Sequence, residues 1–170
     1  MGITYIITTS QVGQLLVAGT SRGVCAVKFG DSNEILEQEL QCEYPSALTL
    51  KKCVTRKNWA DLLVAYLKGE VATLDLPLDI RATDFQWSVW QYLRTIPWGE
   101  TRSYQRVAQA IGRPKAVRAV AHACATNPVC LVIPCHRVIG NNGSLKGYRW
   151  GLTRKHSLLE IEQVTNRVIN

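Results

Sequence analysis

The chain has 170 residues, 46% of them hydrophobic and 19% charged, with a formal net charge of +7 at pH 7. These values exclude a disordered chain and a large multidomain assembly, and leave one ordinary domain or two small ones. The best apolar run, Leu62 to Leu67, falls far short of the roughly 18 residues a membrane-spanning helix needs.

The charge is divided unevenly. Residues 1–80 carry seven Lys/Arg against nine Asp/Glu, a net of −2. Residues 81–170 carry thirteen against four, a net of +9. No acid occurs from Thr101 through Leu159, and Arg102, Arg106, Arg113, Lys115 and Arg118 fall early in that stretch. A one-sided basic field points to a polyanion such as nucleic acid, against the plainer reading of a solvated basic surface. The N-terminus has no basic region before its apolar stretch, and position 6 is Ile6 rather than Ser or Thr, so neither a secretory signal nor a myristoylation site is expected. The expected location is the cytoplasm (the nucleus in a eukaryote), where the six cysteines are mostly reduced thiols.

In chain order, Ile3–Thr9, Gln14–Ala18 and Val24–Phe29 are β-branched runs separated by glycine turns, which predicts an antiparallel meander. Asp31 with Glu34 predicts a capping box opening a helix to about Cys42. Thr55 is the expected cap of the next helix, whose stripe is Trp59, Leu62, Leu63, Tyr66 and Leu67 and whose stop is Gly69. Leu74–Ile80 contains Pro77, lies where the charge changes sign and reads as a linker.

The second half reads as mostly helical. Thr83 or Asp84 opens a helix burying Phe85, Val89, Leu93 and Ile96, and Pro97-Trp98-Gly99 closes it. Ser103 caps a short helix with Val107, Ala108 and Ile111 inward, ended by Gly112. Pro114 is the expected first residue of a helix running to about Ala125, with Val117, Val120, Ala121 and Cys124 inward. Helix, glycine turn, helix is the helix-turn-helix outline, with Lys115 and Arg118 in the first turns of its second helix. Asn142-Gly143 signals a turn, and Thr153 is the expected cap of a last helix.

Three cysteine groups compete for the chemistry. Cys135 beside His136 fits an activated thiolate, with Glu162 able to orient the imidazole; the bland alternative is an inert buried thiol. Cys124, Cys130, Cys135, His136 and His122 have zinc-type chemistry, but the second ligand pair is missing and His122 and Cys124 face different ways on a helix, so no metal is expected. Cys25, Cys42 and Cys53 have no histidine among residues 1–80 to complete a site and read as core or surface residues.

The hexapeptide Ile133-Pro134-Cys135-His136-Arg137-Val138 resembles the active-site signature of the O6-alkylguanine-DNA alkyltransferases, the methylated-DNA–protein-cysteine methyltransferases. Blocks at 96–101, 103–105, 114–120, 127–128 and 147–151 resemble the family in the family's order. They span about half the chain, and the whole resembles the C-terminal alkyltransferase part of the bacterial adaptive-response protein. The resemblance implies a two-domain α/β (α+β) fold: an RNase H-like domain over 1–80, a linker about 74–83, and a winged helix-turn-helix-like, mostly helical domain over 84–170.

It also implies irreversible transfer of an alkyl group from O6-alkylguanine, or O4-alkylthymine, in duplex DNA to Cys135, once per molecule and with no cofactor or metal. In that scheme His136 is the base, Glu162 holds it, Asn127 braces the turn and Tyr104 donates to the leaving guanine. Arg118 fills the vacated base stack from the minor groove. Ala119 permits close approach, and Gln105, Arg113, Lys115 and Asn141 meet the backbone. The Val138 backbone, Tyr148 and Arg149 line the base pocket. The implied partner is alkylated duplex DNA, bound by a monomer with no obligate protein partner and no membrane. The alternative is a non-catalytic alkylated-DNA binder or helix-turn-helix regulator, against which the presence of Cys135, His136 and Glu162 argues; a cysteine hydrolase gives Arg118 no role.

Overall fold

Residues 2–45, 50–52 and 56–169 are described in the computed structural model, and the chain divides into two units, Met1–Ile80 and Arg81–Asn170. The expected cap Thr55 and the spectator Cys53 lie outside the described residues.

In the first unit, β1 (Ile3–Ser10), β2 (Gly13–Gly19) and β3 (Val24–Gly30) form the antiparallel meander. A short β4 (Leu50–Lys52) joins β1 in parallel, giving the order β3-β2-β1-β4. Every residue of β3 is buried, because both faces of the sheet are covered. Helix α1 (Asn33–Glu43) packs Leu36 and Leu40 with Ile3, Tyr5, Leu16 and Ala18 on one face. Its cap is Ser32, whose side chain accepts from the Ile35 amide, and not Asp31. Ser32 is the residue with extended backbone directly before the first turn, where a side-chain oxygen reaches the free amides.

Thr4 and Gly19 project from the opposite face by the two-residue period. There Arg56 Nε donates to Thr4 Oγ1 at 2.9 Å, and a Cβ on Gly19 would stand 2.5 Å from the Trp59 ring. Helix α2 (Lys57–Leu67) thus covers the second face, burying Ala60, Leu63, Tyr66 and Leu67. The Leu74–Ile80 stretch is not a free tether. Val24 donates to Pro77 O at 2.7 Å and Asp79 to Val24 O at 2.8 Å, so it extends along the edge strand, where unpaired strand groups seek partners.

In the second unit, α3 (Asp84–Leu93) opens on a full capping box between Thr83 and Gln86. Val89, Trp90 and Leu93 are its buried residues, while Phe85 is only half-buried. The buried Trp90 is not expected inward from the sequence, and its indole N–H is satisfied by Ala123 O at 2.9 Å. Helix α4 (Tyr104–Ala110) is capped by Ser103 and buries Val107 and Ala108, with Ile111 half-buried at its end. Gly112, at φ 71, makes the turn.

Helix α5 is Val117–Ala125, so Pro114 and Lys115 lie in the turn before it rather than in its first turn. Arg113 donates to Ala108 O and Ala116 to Arg113 O; this tight turn delays the helix by three residues. A 3₁₀ turn, Cys135–Arg137, runs into β6 (Val138–Ile139), which pairs in parallel with β5 (Arg102–Ser103). Helix α6 (Leu152–Ile169) begins one residue before Thr153, directly after Gly151 at φ 97. Among the described residues no helix is long and apolar enough to cross a membrane.

Candidate active site

The two-residue ladder Arg102↔Val138 and Ser103↔Ile139 sets the start of α4 beside the end of the Cys135 turn. Helix α6 then lies behind that turn, with Lys155, Leu158 and Glu162 on one buried face, two turns from end to end. Three segments far apart in sequence therefore meet at one thiol.

Cys135 is 3% exposed. Its turn is braced by Asn127, which is fully buried: Nδ2 donates to Ile133 O at 2.8 Å and to Cys135 Sγ at 3.2 Å, while Oδ1 accepts from the Val129 amide at 3.0 Å. Leu131 within this loop has φ 69, a left-handed conformation costing an ordinary residue about 1 kcal/mol. Burial pushes the Cys135 thiol up to about 11, opposed by the Asn127 hydrogen bond and the Lys155 charge.

His136 Nε2 lies 2.6 Å from Glu162 Oε1. The same carboxylate accepts from Arg137 Nε at 3.1 Å to each oxygen and Nη2 at 2.9 Å, and from the Gly99 amide at 3.3 Å. Arg137 is further held by Ile96 O at 2.6 Å. Burial raises Glu162, but the hydrogen bonds and charges of His136 and then Arg137 outweigh it and hold the carboxyl at about 2. Burial lowers His136 below its ordinary value, despite Glu162, which favours the neutral imidazole, the form with a nitrogen lone pair free to accept a proton. With Nε2 committed to Glu162, Nδ1 is fully buried and has no protein partner among the described residues.

Cys135 opens into a cavity of about 570 Å³, lined also by Tyr104, Arg118, Cys124, Tyr148 and Arg149. That volume accommodates a nucleobase with a substituent. Gln105 and Asn141 line it too, joined by a 2.7 Å hydrogen bond from Asn141 Nδ2 to Gln105 Oε1. Val138, expected at the pocket through its backbone, is fully buried, and its carbonyl accepts from Lys155 Nζ at 2.6 Å. Arg113, Lys115 and Ala119 are exposed and stand outside the lining, whose basic residues are Arg118 of α5, Lys146 and Arg149.

Two site residues escaped the sequence reading. Lys155 is fully buried, with Nζ also 3.4 Å from Tyr104 Oη and 3.3 Å from Gly147 O. Burial lowers its pKa, against the Cys135 and Cys124 charges. Arg137 was read only as part of a hexapeptide. No local signal marks either: Lys155 stands between Arg154 and His156 and Arg137 follows His136, neighbours that suit a surface cation as well as a buried one.

Residues 84–164 match the family described as 6-O-methylguanine DNA methyltransferase, DNA binding domain. Residues 3–80 match its ribonuclease-like domain. The chain is 48% identical to the bifunctional transcriptional activator/DNA repair enzyme Ada of Escherichia coli, over 95% of this chain and 46% of that protein. It thus spans about half the length of that relative. It is 42% identical to the methylated-DNA–protein-cysteine methyltransferase of Methanosarcina barkeri, over 94% of this chain and 96% of the relative. The crystal structure of Mycobacterium tuberculosis OGT in complex with DNA superposes with a TM-score of 0.82 at 38% identity, covering 95% of this chain and 94% of that one. Both halves match, in order, so the chain belongs to the 6-O-methylguanine DNA methyltransferase family.

Proposed function

We propose that this protein reverses DNA alkylation directly, moving the alkyl group of O6-alkylguanine in duplex DNA onto Cys135. The observation that carries the reading is a cavity of base-sized volume with Cys135 in its wall and Arg118 of α5 at its edge. The division of labour is an α/β domain over 1–80 and a DNA-binding, alkyl-accepting domain over 84–170. In the second, Arg118 enters the stack as the base leaves it, Ala119 allows close approach, and Gln105, Arg113, Lys115 and Asn141 meet phosphates. Tyr148 and Arg149 flank the extruded base.

Cys135 must lose its proton before it attacks. His136 Nδ1 takes that proton through a water, and Glu162 and Arg137 keep the ring fixed on its other nitrogen. The thiolate then forms a bond to the alkyl carbon as the carbon–O6 bond breaks, and the electron pair leaves with guanine. Tyr104, kept protonated by burial, donates a hydrogen bond to the departing base. Lys155 Nζ is directed at the phenol oxygen, which leaves the phenol hydrogen to point into the cavity. The product thioether has no ready leaving group, so each molecule acts once.

Incubation with a duplex containing O6-methylguanine, followed by intact mass and peptide mapping, tests this. One methyl group on Cys135, limited to one equivalent, is the expected result. Tight binding with no mass gain would instead identify a lesion-binding protein, and lesion clearance by Cys135→Ala would remove the cysteine from the mechanism.

A further inference from the structure

Helix α5 presents three faces. Val120, Ala123 and Cys124 are buried in the core. Val117, Arg118, Ala121, Cys124 and Ala125 line the cavity. Arg118, Ala119, His122 and Ala125 are exposed. Arg118 and Ala125 belong both to the lining and to the exposed face, so that face borders the cavity mouth. His122 lies on it one turn after Arg118 and one turn before Ala125, at the i, i+4 and i, i+3 spacings that make helical side chains neighbours. Its carbonyl accepts from the Thr126 amide and hydroxyl, each at 2.9 Å, while its ring makes no hydrogen bond or ion pair among the described residues. No acid occurs from Thr101 through Leu159 to oppose a polyanion at this face.

A base held in the cavity beside Cys135 leaves the duplex across this mouth, so the duplex lies against the exposed face of α5. Of its four exposed residues, Ala119 and Ala125 offer only methyl groups, which let the helix come close. Arg118 and His122 are the two whose side chains can hydrogen-bond, and Arg118 is committed to the vacated stack. We propose that the His122 imidazole N–H donates to a minor-groove base acceptor beside the extruded guanine, making His122 a residue that reads the flanking pair. The inference rests on the reading above in which α5 meets the minor groove at a flipped base. Because Arg118 reaches the stacked bases from this face, the next turn of the helix lies over the groove floor rather than beside the phosphate walls. At an A·T pair that floor offers adenine N3 and thymine O2 as acceptors. A G·C pair adds the guanine amino group, a competing donor, so the contact selects A·T beside the lesion.

The test is equilibrium binding to a duplex in which one O6-methylguanine, flanked by A·T pairs, fixes the register. The full chain carries Cys135→Ala so that no transfer intervenes. Flanking adenines are replaced one at a time by 3-deazaadenine and thymines by difluorotoluene, each of which removes the minor-groove acceptor, and each A·T pair by G·C. Loss of one hydrogen bond predicts about a fivefold drop in affinity at one flanking pair. Adding His122→Ala is expected to cost about fivefold on the natural duplex and to abolish the sensitivity at that pair, since the contact is already gone. Alanine suits an exposed helical position, so loss of folding does not enter. Unchanged affinity on adding His122→Ala, or equal sensitivity of both proteins at every replaced position, as a phosphate contact would give, would overturn the proposal. Failure of the wild-type protein to accept a methyl group from O6-methylguanine would strike the alkyl-transfer reading instead, and the binding scan, which needs no transfer, separates the two.

Discussion

Glu162 is the residue on which most of the site's electrostatics converge. Its carboxylate accepts from His136, Arg137 and the Gly99 amide while only 2% exposed. Replacing it with Gln leaves Arg137 buried without its counter-charge, which typically costs about 3–5 kcal/mol. A urea midpoint well below that of the wild type is therefore expected for Glu162→Gln. The pH dependence has a definite sign. A carboxyl held at about 2 in the folded state, against an ordinary value of 4.5, contributes stability that is fully present above 4.5. That contribution is lost as pH falls toward 2, so wild-type stability should decline across this window, and Glu162→Gln should lose that part of the decline. Asn127→Ala is expected to cost about 2–3 kcal/mol, because it strands the Val129 amide and frees the Ile133 carbonyl inside the core. Thermal or chemical denaturation would measure it.

At the scale of elements, local chemistry and sequence pattern agree for most of the chain. Thr83 and Gln86 form a reciprocal cap at α3, and Thr83→Ala should lower stability by about 1 kcal/mol in a denaturation curve. The meander, α2, α3 and α4 were legible because strand alternation, helical stripes and glycine stops are short-range signals. The misreadings are equally local. Asp31 and Ser32 both suit a cap, and only the backbone conformation chooses Ser32. Pro114 suits a first helical position, yet the hydrogen-bonded turn through Arg113 and Ala116 delays α5 to Val117. That delay leaves Arg118 as the second residue of α5, directly at the cavity. Arg118→Ala should therefore lower repair of O6-methylguanine in duplex at least tenfold while barely changing the reaction with free O6-benzylguanine, which needs no flipping. Equal losses on both substrates would exclude the base-flipping role.

For the whole molecule, the +7 charge divides into −2 over residues 1–80 and +9 over 81–170. Affinity for undamaged duplex should fall steeply with salt, and if Lys115 meets a phosphate as proposed above, its substitution by Gln should reduce the log–log slope by about one. Lys68→Gln, on the exposed end of α2, should leave that slope unchanged.

The hexapeptide around Cys135, the acid-free basic stretch and the helix-turn-helix spacing are each short-range features of the chain, so the family and the nucleophile and partner proposed for it could be read from the sequence itself. Tertiary structure decided which distant groups meet there. From α6, Lys155 reaches the Val138 carbonyl and Glu162 the His136 ring, and Tyr104 at the start of α4 lines the same cavity as Cys135, set there by the β5–β6 pair. Burial then sets the charge of each group. Sequence spacing carries no information on desolvation, which arises only when segments far apart in the chain close over the same few atoms.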